Sequence, residues 1–368
     1  MLCPQGDQQL RRGICFALTV VLRAVLLISV LGISSIFNLV SRTKFALQRS
    51  FRVAPSANRA SLRLASVPTF DGLGCVTHPA VVAFEKKFSG YEYWMAFTPW
   101  PDLSRELVSI VASHDGVSWE VPPGLTNPVI PASEHVFGCR FWSDPELIFL
   151  RNGTMILYAR TFDGVGYGGP GNVESIVYKT STDGVRWGPT SLLFTIRDGC
   201  LGAALCPQVV VEPDGSTRLW YIRNSNGKDT AMQLFLRLGD SSGTSFGPEI
   251  LCELPSSRYW HMDVQKVGST YYMLATVIRA WTRGDSPLHF LTSPDGINWT
   301  AVSSDAIPRS GLKWDRIGYY KPSLLPTSGD PLRWNVWAGS TAARQNKCVA
   351  EQFRIGFFKD IQLPTSPA

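Results

Sequence analysis

The sequence predicts an all-β protein, a five-bladed β-propeller behind an N-terminal hydrophobic segment. Three observations carry this. Short apolar runs of period two alternate with Gly, Pro, Asn and Asp turns from about residue 70 onward, and long helical periodicities are few. One hairpin pattern recurs from His78, Asp144, Cys206, His261 and Lys321, at spacings of 66, 62, 55 and 60 residues. A Ser-x-Asp-Gly-x-x-Trp turn closes three of the units, at 113–119, 181–187 and 293–299, with a worn copy over 242–246. A near-fixed period with about four strands per unit is the mark of a propeller, and five units imply five blades.

Blade one opens at Thr77-His78-Pro79, turns at Ser89-Gly90 and returns over Tyr91–Thr98. Its third strand covers Val108–Ala112 and ends in the Asp115-Gly116 turn. Blade two opens at Ser143-Asp144-Pro145, turns at Arg151-Asn152-Gly153, and reaches Asp183-Gly184. Blade three runs from Cys206-Pro207 to the worn turn at Ser242-Gly243. Blade four runs from His261-Met262-Asp263 to Asp295-Gly296, and blade five from Lys321-Pro322 to Ile355–Phe358. In the Asp-Gly turns the carboxylate caps backbone N–H groups and the Trp packs into the blade, which makes these Asp residues structural rather than catalytic.

The region before the repeats divides at about residues 40 and 70. Residues 14–40 are apolar apart from Arg23 and long enough to span a bilayer. They read as a signal-anchor. A cleaved signal peptide fits the basic start and the split apolar core, and an organellar transit peptide fits the acid-free stretch 8–70. Residues 41–70 read as a Ser-, Arg- and Ala-rich linker, leaving 71–368 as the propeller. A membrane is thus an expected partner of the N-terminal segment, with the propeller outside the cytoplasm. Arg42, Lys44, Arg49 and Arg52, beyond the span, pull the other way by the positive-inside rule.

The net charge of +6 comes from the leader. Residues 1–70 hold nine basic residues and one acid, Asp7, so the remainder carries 26 basic against 28 acidic residues, or −2. Nothing there suits a nucleic acid. The eight Cys form no CxxC pair and no zinc spacing. Cys75 and Cys348 flank the repeats and would staple them in an oxidising compartment; reduced buried thiols are the alternative. Asn152-Gly153-Thr154 and Asn298-Trp299-Thr300 fit the glycosylation pattern, which counts only in a eukaryotic secretory route.

The first strand of each blade lines a propeller's axis, so the five entrances converge. They supply His78, Asp144 with Glu146, Cys206 with Gln208, His261 with Asp263, and Lys321. A ring of titratable groups at one end of a channel is a binding-site signature; bonding to backbone across blades is the structural alternative. Arg140 and Arg160 stand near enough in sequence to pair with Asp144. If Asp144 faces the channel, Glu146 lies two residues along and faces the same way.

These entrances resemble those of the five-bladed glycoside hydrolases of families 43 and 32 and their relatives, over roughly residues 75–360. The Asp-Gly turns resemble those of sialidases, which have six blades. The first hairpin, HPAVVAF with YEYWMAFTPWP and SHDGVSWE, is also similar to bacterial and phage proteins described as hydrolase-like propellers. The hydrolase resemblance implies three entrance carboxylates, of which only Ser143-Asp144-Pro145 matches. His78 stands at the first position and Leu205 at the third. Glycoside hydrolysis needs a proton donor and a carboxylate.

The expectation is therefore a divergent glycoside hydrolase acting on a cell-surface or extracellular carbohydrate. Asp144 with Glu146 or Asp263 would form the carboxylate pair. His78, Arg160, His261, Lys321, Arg140 and Glu174 would be substrate contacts, with His78 or His261 an alternative acid or base. Glu134 and Asp163 would enter on loops, and Trp100, Trp142, Tyr167, Tyr259 and Trp281 would offer faces for sugar stacking. No cofactor is expected, and no ligand set demands a metal. A non-catalytic glycan-binding propeller is the alternative, and a protein-binding scaffold the third reading.

Overall fold

The computed structural model describes residues 61–100, 106–130, 140–163, 173–196, 204–224, 232–277, 286–327, 330–340 and 353–364. The expected hydrophobic segment, Cys348, Glu134, Tyr167 and Trp281 lie outside these residues. So do the side chains of Arg140 and Asp163. Among the described residues no helix is long and apolar enough to cross a membrane.

The described residues form five four-stranded antiparallel sheets, each one blade. Blade one is β2 (Val76–Phe88), β3 (Tyr91–Pro99), β4 (Ser109–Ser113) and β5 (Trp119–Glu120). Blade two is β6 (Arg140–Phe149), β7 (Met155–Asp163), β8 (Val173–Ser181) and β9 (Ser191–Ile196). Blade three is β10 (Leu205–Val211), β11 (Thr217–Asn224), β12 (Met232–Gly239) and β13 (Ile250–Leu251). Blade four is β14 (Tyr259–Val267), β15 (Thr270–Val277), β16 (Leu288–Ser293) and β17 (Thr300–Ser303). Blade five is β18 (Tyr319–Thr327), β19 (Asp330–Ser340) and β20 (Ile355–Gln362). Its fourth strand is β1 (Leu62–Leu64), where Leu62 pairs with Phe358 and Leu64 with Gly356. The ring is thus closed by residues expected to be linker. Three residues among Ser, Arg and Ala carry too short an alternation to read as a strand, but they complete an edge that would otherwise stay open.

The apolar core is five seams rather than one centre. Each buried cluster joins neighbouring blades, as where Trp94, Ile110 and Ala112 of blade one meet Leu147, Met155 and Leu157 of blade two. The Asp-Gly turns sit on these seams. In each of the three full copies the Ser hydroxyl accepts the Gly N–H, at 2.8–2.9 Å. The Asp Oδ1 accepts the next two N–H groups, at 2.7–2.9 Å. The turn then meets the second strand of the preceding blade. Trp337 Nε1 donates to Gly116 O at 2.7 Å, and Trp220 Nε1 to Gly296 O at 2.8 Å. Tyr158 does the same for the worn copy, donating to Gly243 O at 2.6 Å. Gly184 has φ +75°, and a Cβ there would lie 2.5 Å from the Trp94 ring. Glycine is required by both the backbone and the close approach.

Candidate functional site

The first strand of every blade carries one extra residue at its entrance. Register shifts lie between Thr77 and Ala80, Ser143 and Glu146, Leu205 and Gln208, Tyr259 and His261, and Tyr319 and Pro322. In three blades the bulge puts a non-glycine residue in the left-handed region: His78 (φ 52°), Asp144 (φ 49°) and Cys206 (φ 52°). Each precedes a proline, which disfavours a helical conformation there. Such strain costs about 1–3 kcal/mol per residue and gathers at functional sites. The bulge re-aims the side chain.

It aims two of them at each other. His78 Nε2 lies 3.1 Å from Asp144 Oδ1, and His261 Nδ1 approaches the same oxygen at 3.7 Å. The two imidazole centroids are 5.0 Å apart. One ligand atom from each of the three residues falls within 4.8 Å of the others, and all three side chains are buried. Yet both nitrogens of both rings, and Asp144 Oδ2, lack a hydrogen-bond partner of good geometry among the described residues. Buried polar atoms without partners are rare. One such atom from each residue turned toward a common point marks a place shaped for something else.

Electrostatics keep the donors available. Burial, with Lys321 and Arg160 nearby, outweighs Asp144 and lowers the His78 pKa to about 4. Burial likewise holds His261 well below its ordinary value. Both rings are neutral at pH 7. Burial pushes the Asp144 carboxyl up, but the two histidines, Arg160 and Lys321 more than offset this and hold it low.

Around this centre the expected residues divide. Arg160, on β7, approaches Asp144 Oδ2 through Nη1 at 3.5 Å. Its Nε and Nη2 are bound by Glu174 of β8 at 2.9 and 3.0 Å, and Glu174 also accepts the Ala204 N–H. This pair braces Asp144. Glu146 does not join Asp144, because the bulge between them breaks the alternation on which that expectation rested. Glu146 lies 3.9 Å from Lys321 Nζ, with the Val209 N–H and the Gln208 side chain favouring its ionised form. Asp263 accepts the Leu324 N–H at 2.6 Å. Burial raises both carboxyls, Asp263 to about 6, with Lys321 opposing. Cys206 Sγ bonds the Met262 backbone at 3.2–3.3 Å, a packing role. Leu205 is buried in the seam of blades three and four.

Three residues were missed by sequence reasoning. Glu106, just before β4, is buried beside Asp144 and Arg160. Burial first, and then the Asp144 charge, push its carboxyl up to about 8. Nothing in its sequence neighbourhood repeats, so no pattern points to it. Tyr320 stands over both imidazoles, 4.9 Å from His78 and 4.4 Å from His261 between centroids. It precedes Lys321 and was open to discovery as part of the fifth entrance. Phe353 stacks on half-buried Trp100. Trp100 itself was expected, and it lies edge-on to His78 at 6.4 Å. Trp142 and Tyr259 are buried, which makes them blade packing rather than stacking faces.

The fold is shared with several carbohydrate-active enzymes of known structure. The chain superposes with a TM-score of 0.63 on an N-acetylgalactosamine deacetylase from Flavonifractor plautii solved with blood group B trisaccharide. Identity is 24%, over 80% of this chain and 93% of that one. A family-43 β-1,3-galactosidase solved with galactodeoxynojirimycin gives a TM-score of 0.56 at 13% identity, covering 82% and 93%. In sequence the chain is 27% identical over 340 residues to the A type blood N-acetyl-α-D-galactosamine deacetylase of F. plautii. That match covers 75% of this chain and spans 41% of the relative's length. No family model matches the chain.

Proposed function

We propose that the chain is a carbohydrate-acting hydrolase that removes an acyl group from an amino sugar. The observation that carries this is the meeting of His78, Asp144 and His261 with their donor atoms unpartnered. The glycosidase expected from sequence needs two carboxyl groups across one pocket. Here Asp144 faces two neutral imidazoles instead. The relative in sequence is named for deacetylation of N-acetylgalactosamine, which supports the same choice.

Two imidazole nitrogens and one carboxylate oxygen form a donor set that catalytic zinc sites use. One nitrogen of each ring and one Asp144 oxygen lie within 4.8 Å of one another, and these atoms would bind such an ion, so the residues fit a divalent cation. When bound, the ion would polarise the acyl oxygen and acidify a water. The chain's own groups do the rest. Arg160, held by Glu174, fixes the Asp144 carboxylate. Glu106, buried and with its carboxyl pushed up to about 8, would keep its proton near neutral pH and serve as the acid for the departing amine. Trp100 and Tyr320, half-buried and packed around His78, are the aromatic side chains a sugar at this site would meet. Export of the propeller belongs to this reading, supported by the disulfide at Cys75.

The test measures acetate release from N-acetylhexosamine glycosides and sugar release from aryl glycosides by the full chain. Both are repeated after chelation and after zinc is restored. Acetate release that chelation abolishes and zinc restores is expected. Sugar release instead would favour the glycosidase, with Asp144 and Glu106 as its carboxyl groups. Glycan binding without turnover would favour the non-catalytic propeller.

A further inference from the structure

We infer that the bore of this propeller is a cation site, and that the chain fills it with its own ammonium group, Lys321. Lys321 belongs to β18 of blade five, and its side chain is fully buried. Its Nζ crosses the axis to other blades. It donates to Pro79 O of blade one at 2.9 Å and to Pro145 O of blade two at 3.3 Å. It lies 3.9 Å from Glu146 Oε2 of blade two, and it is the cation that opposes the burial of Asp263 on blade four. Carbonyl and carboxyl oxygens converging from separate elements are the ligands a hard cation takes. Here an ammonium with three donors meets them.

Sequence reading assigned Lys321 to substrate. The structure turns it inward. Pro79 and Pro145 directly follow His78 and Asp144, the two strained residues of the entrance. By holding both carbonyls, Lys321 fixes the chain at the point where those side chains are re-aimed. An unpaired charge buried here would cost far more than it could return, so the oxygens and the ammonium need each other. The inference stands apart from the acyl-hydrolase reading, because its test measures stability and not turnover.

The test compares thermal unfolding of the full chain with that of Lys321→Gly and Lys321→Met. Each is measured in methylammonium, sodium, calcium and tetramethylammonium chloride at equal ionic strength. The wild type should respond alike to all four. Lys321→Gly should lose about 10 °C. It should regain at least half of that in methylammonium, sodium or calcium, and none in tetramethylammonium, whose methyl groups shield its charge and leave no N–H to donate. Lys321→Met should fall without recovery, because its side chain fills the space without charge. A Lys321→Met melting point equal to the wild type, or equal responses of Lys321→Gly to all four salts, would overturn the inference. If Lys321→Gly does not fold, Lys321→Met/Glu146→Gln decides. Removing the carboxyl should restore part of what Lys321→Met loses, and no restoration overturns the inference.

Discussion

Two parts of this molecule repeat around the ring, and they repeat differently. In their three full copies the Asp-Gly turns on the seams keep their residues and their bonds. Ser113, Ser181 and Ser293 each accept from a glycine N–H, and Asp115, Asp183 and Asp295 each cap two further N–H groups. The strand entrances keep only their backbone. A bulge recurs in all five first strands, but the side chains it aims are His78, Asp144, Cys206, the Trp260-His261 pair and Lys321. Where both residue and geometry repeat, each copy does one structural job. Where geometry repeats and residues differ, the copies face one another and supply different parts of a single site.

The comparison predicts opposite phenotypes. The largest effect should come from Asp144→Asn, which keeps shape and removes the charge shared by His78, His261 and Arg160. Acyl hydrolysis should fall by at least about 100-fold, while the melting temperature stays close to the wild type. Steady-state rates and a thermal scan check this. Unchanged turnover would remove Asp144 from the chemistry. Gly184→Ala should do the reverse. Its Cβ would lie 2.5 Å from Trp94 at φ +75°, so stability should drop by about 2–4 kcal/mol. Activity per folded molecule should hold. Denaturant unfolding reads the first and active-site titration the second. Asp295→Ala should cost less, about 1–2 kcal/mol, because water reaches the two N–H groups it abandons.

The same contrast decides what could be read from sequence. Five blades were legible because turns and strand starts repeat at a visible period, and the Asp-Gly turns because their residues are fixed by local bonding. The entrances were legible as positions. Their chemistry was not. His78 and Asp144 are 66 residues apart and His261 a further 117, and only ring closure brings them together. That is why no metal ligand set was apparent. Glu146 was misplaced because strand alternation was assumed across a bulge. Lys321 looked like a substrate contact because nothing local says which way a lysine turns. Glu106 stands outside the repeat and gains its character from burial beside Asp144.

The smallest expected effect bears on that last residue. The Glu106 carboxyl is raised to about 8 in the folded chain from a usual value near 4.5, so the fold favours its protonated form. Its contribution is complete below about pH 4.5 and is lost as pH rises toward 8. His78 runs the other way. Its pKa falls from 6.5 to about 4, so its contribution is complete above 6.5 and is lost as pH falls toward 4. Between pH 6.5 and 8 the histidine is silent, and Glu106 should give a downward slope of at most about 1.4 kcal/mol per pH unit. Glu106→Gln keeps the volume and cannot titrate. Urea midpoints taken in chelator across pH 5–8.5 should fall less steeply in this variant, Glu146 and Asp263 still titrating in both proteins, with the gain over wild type growing toward pH 8. An equal slope in both proteins would mean that Glu106 is ionised in the fold. It would then be a second carboxylate beside Asp144, and the entrance would again suit a glycosidase.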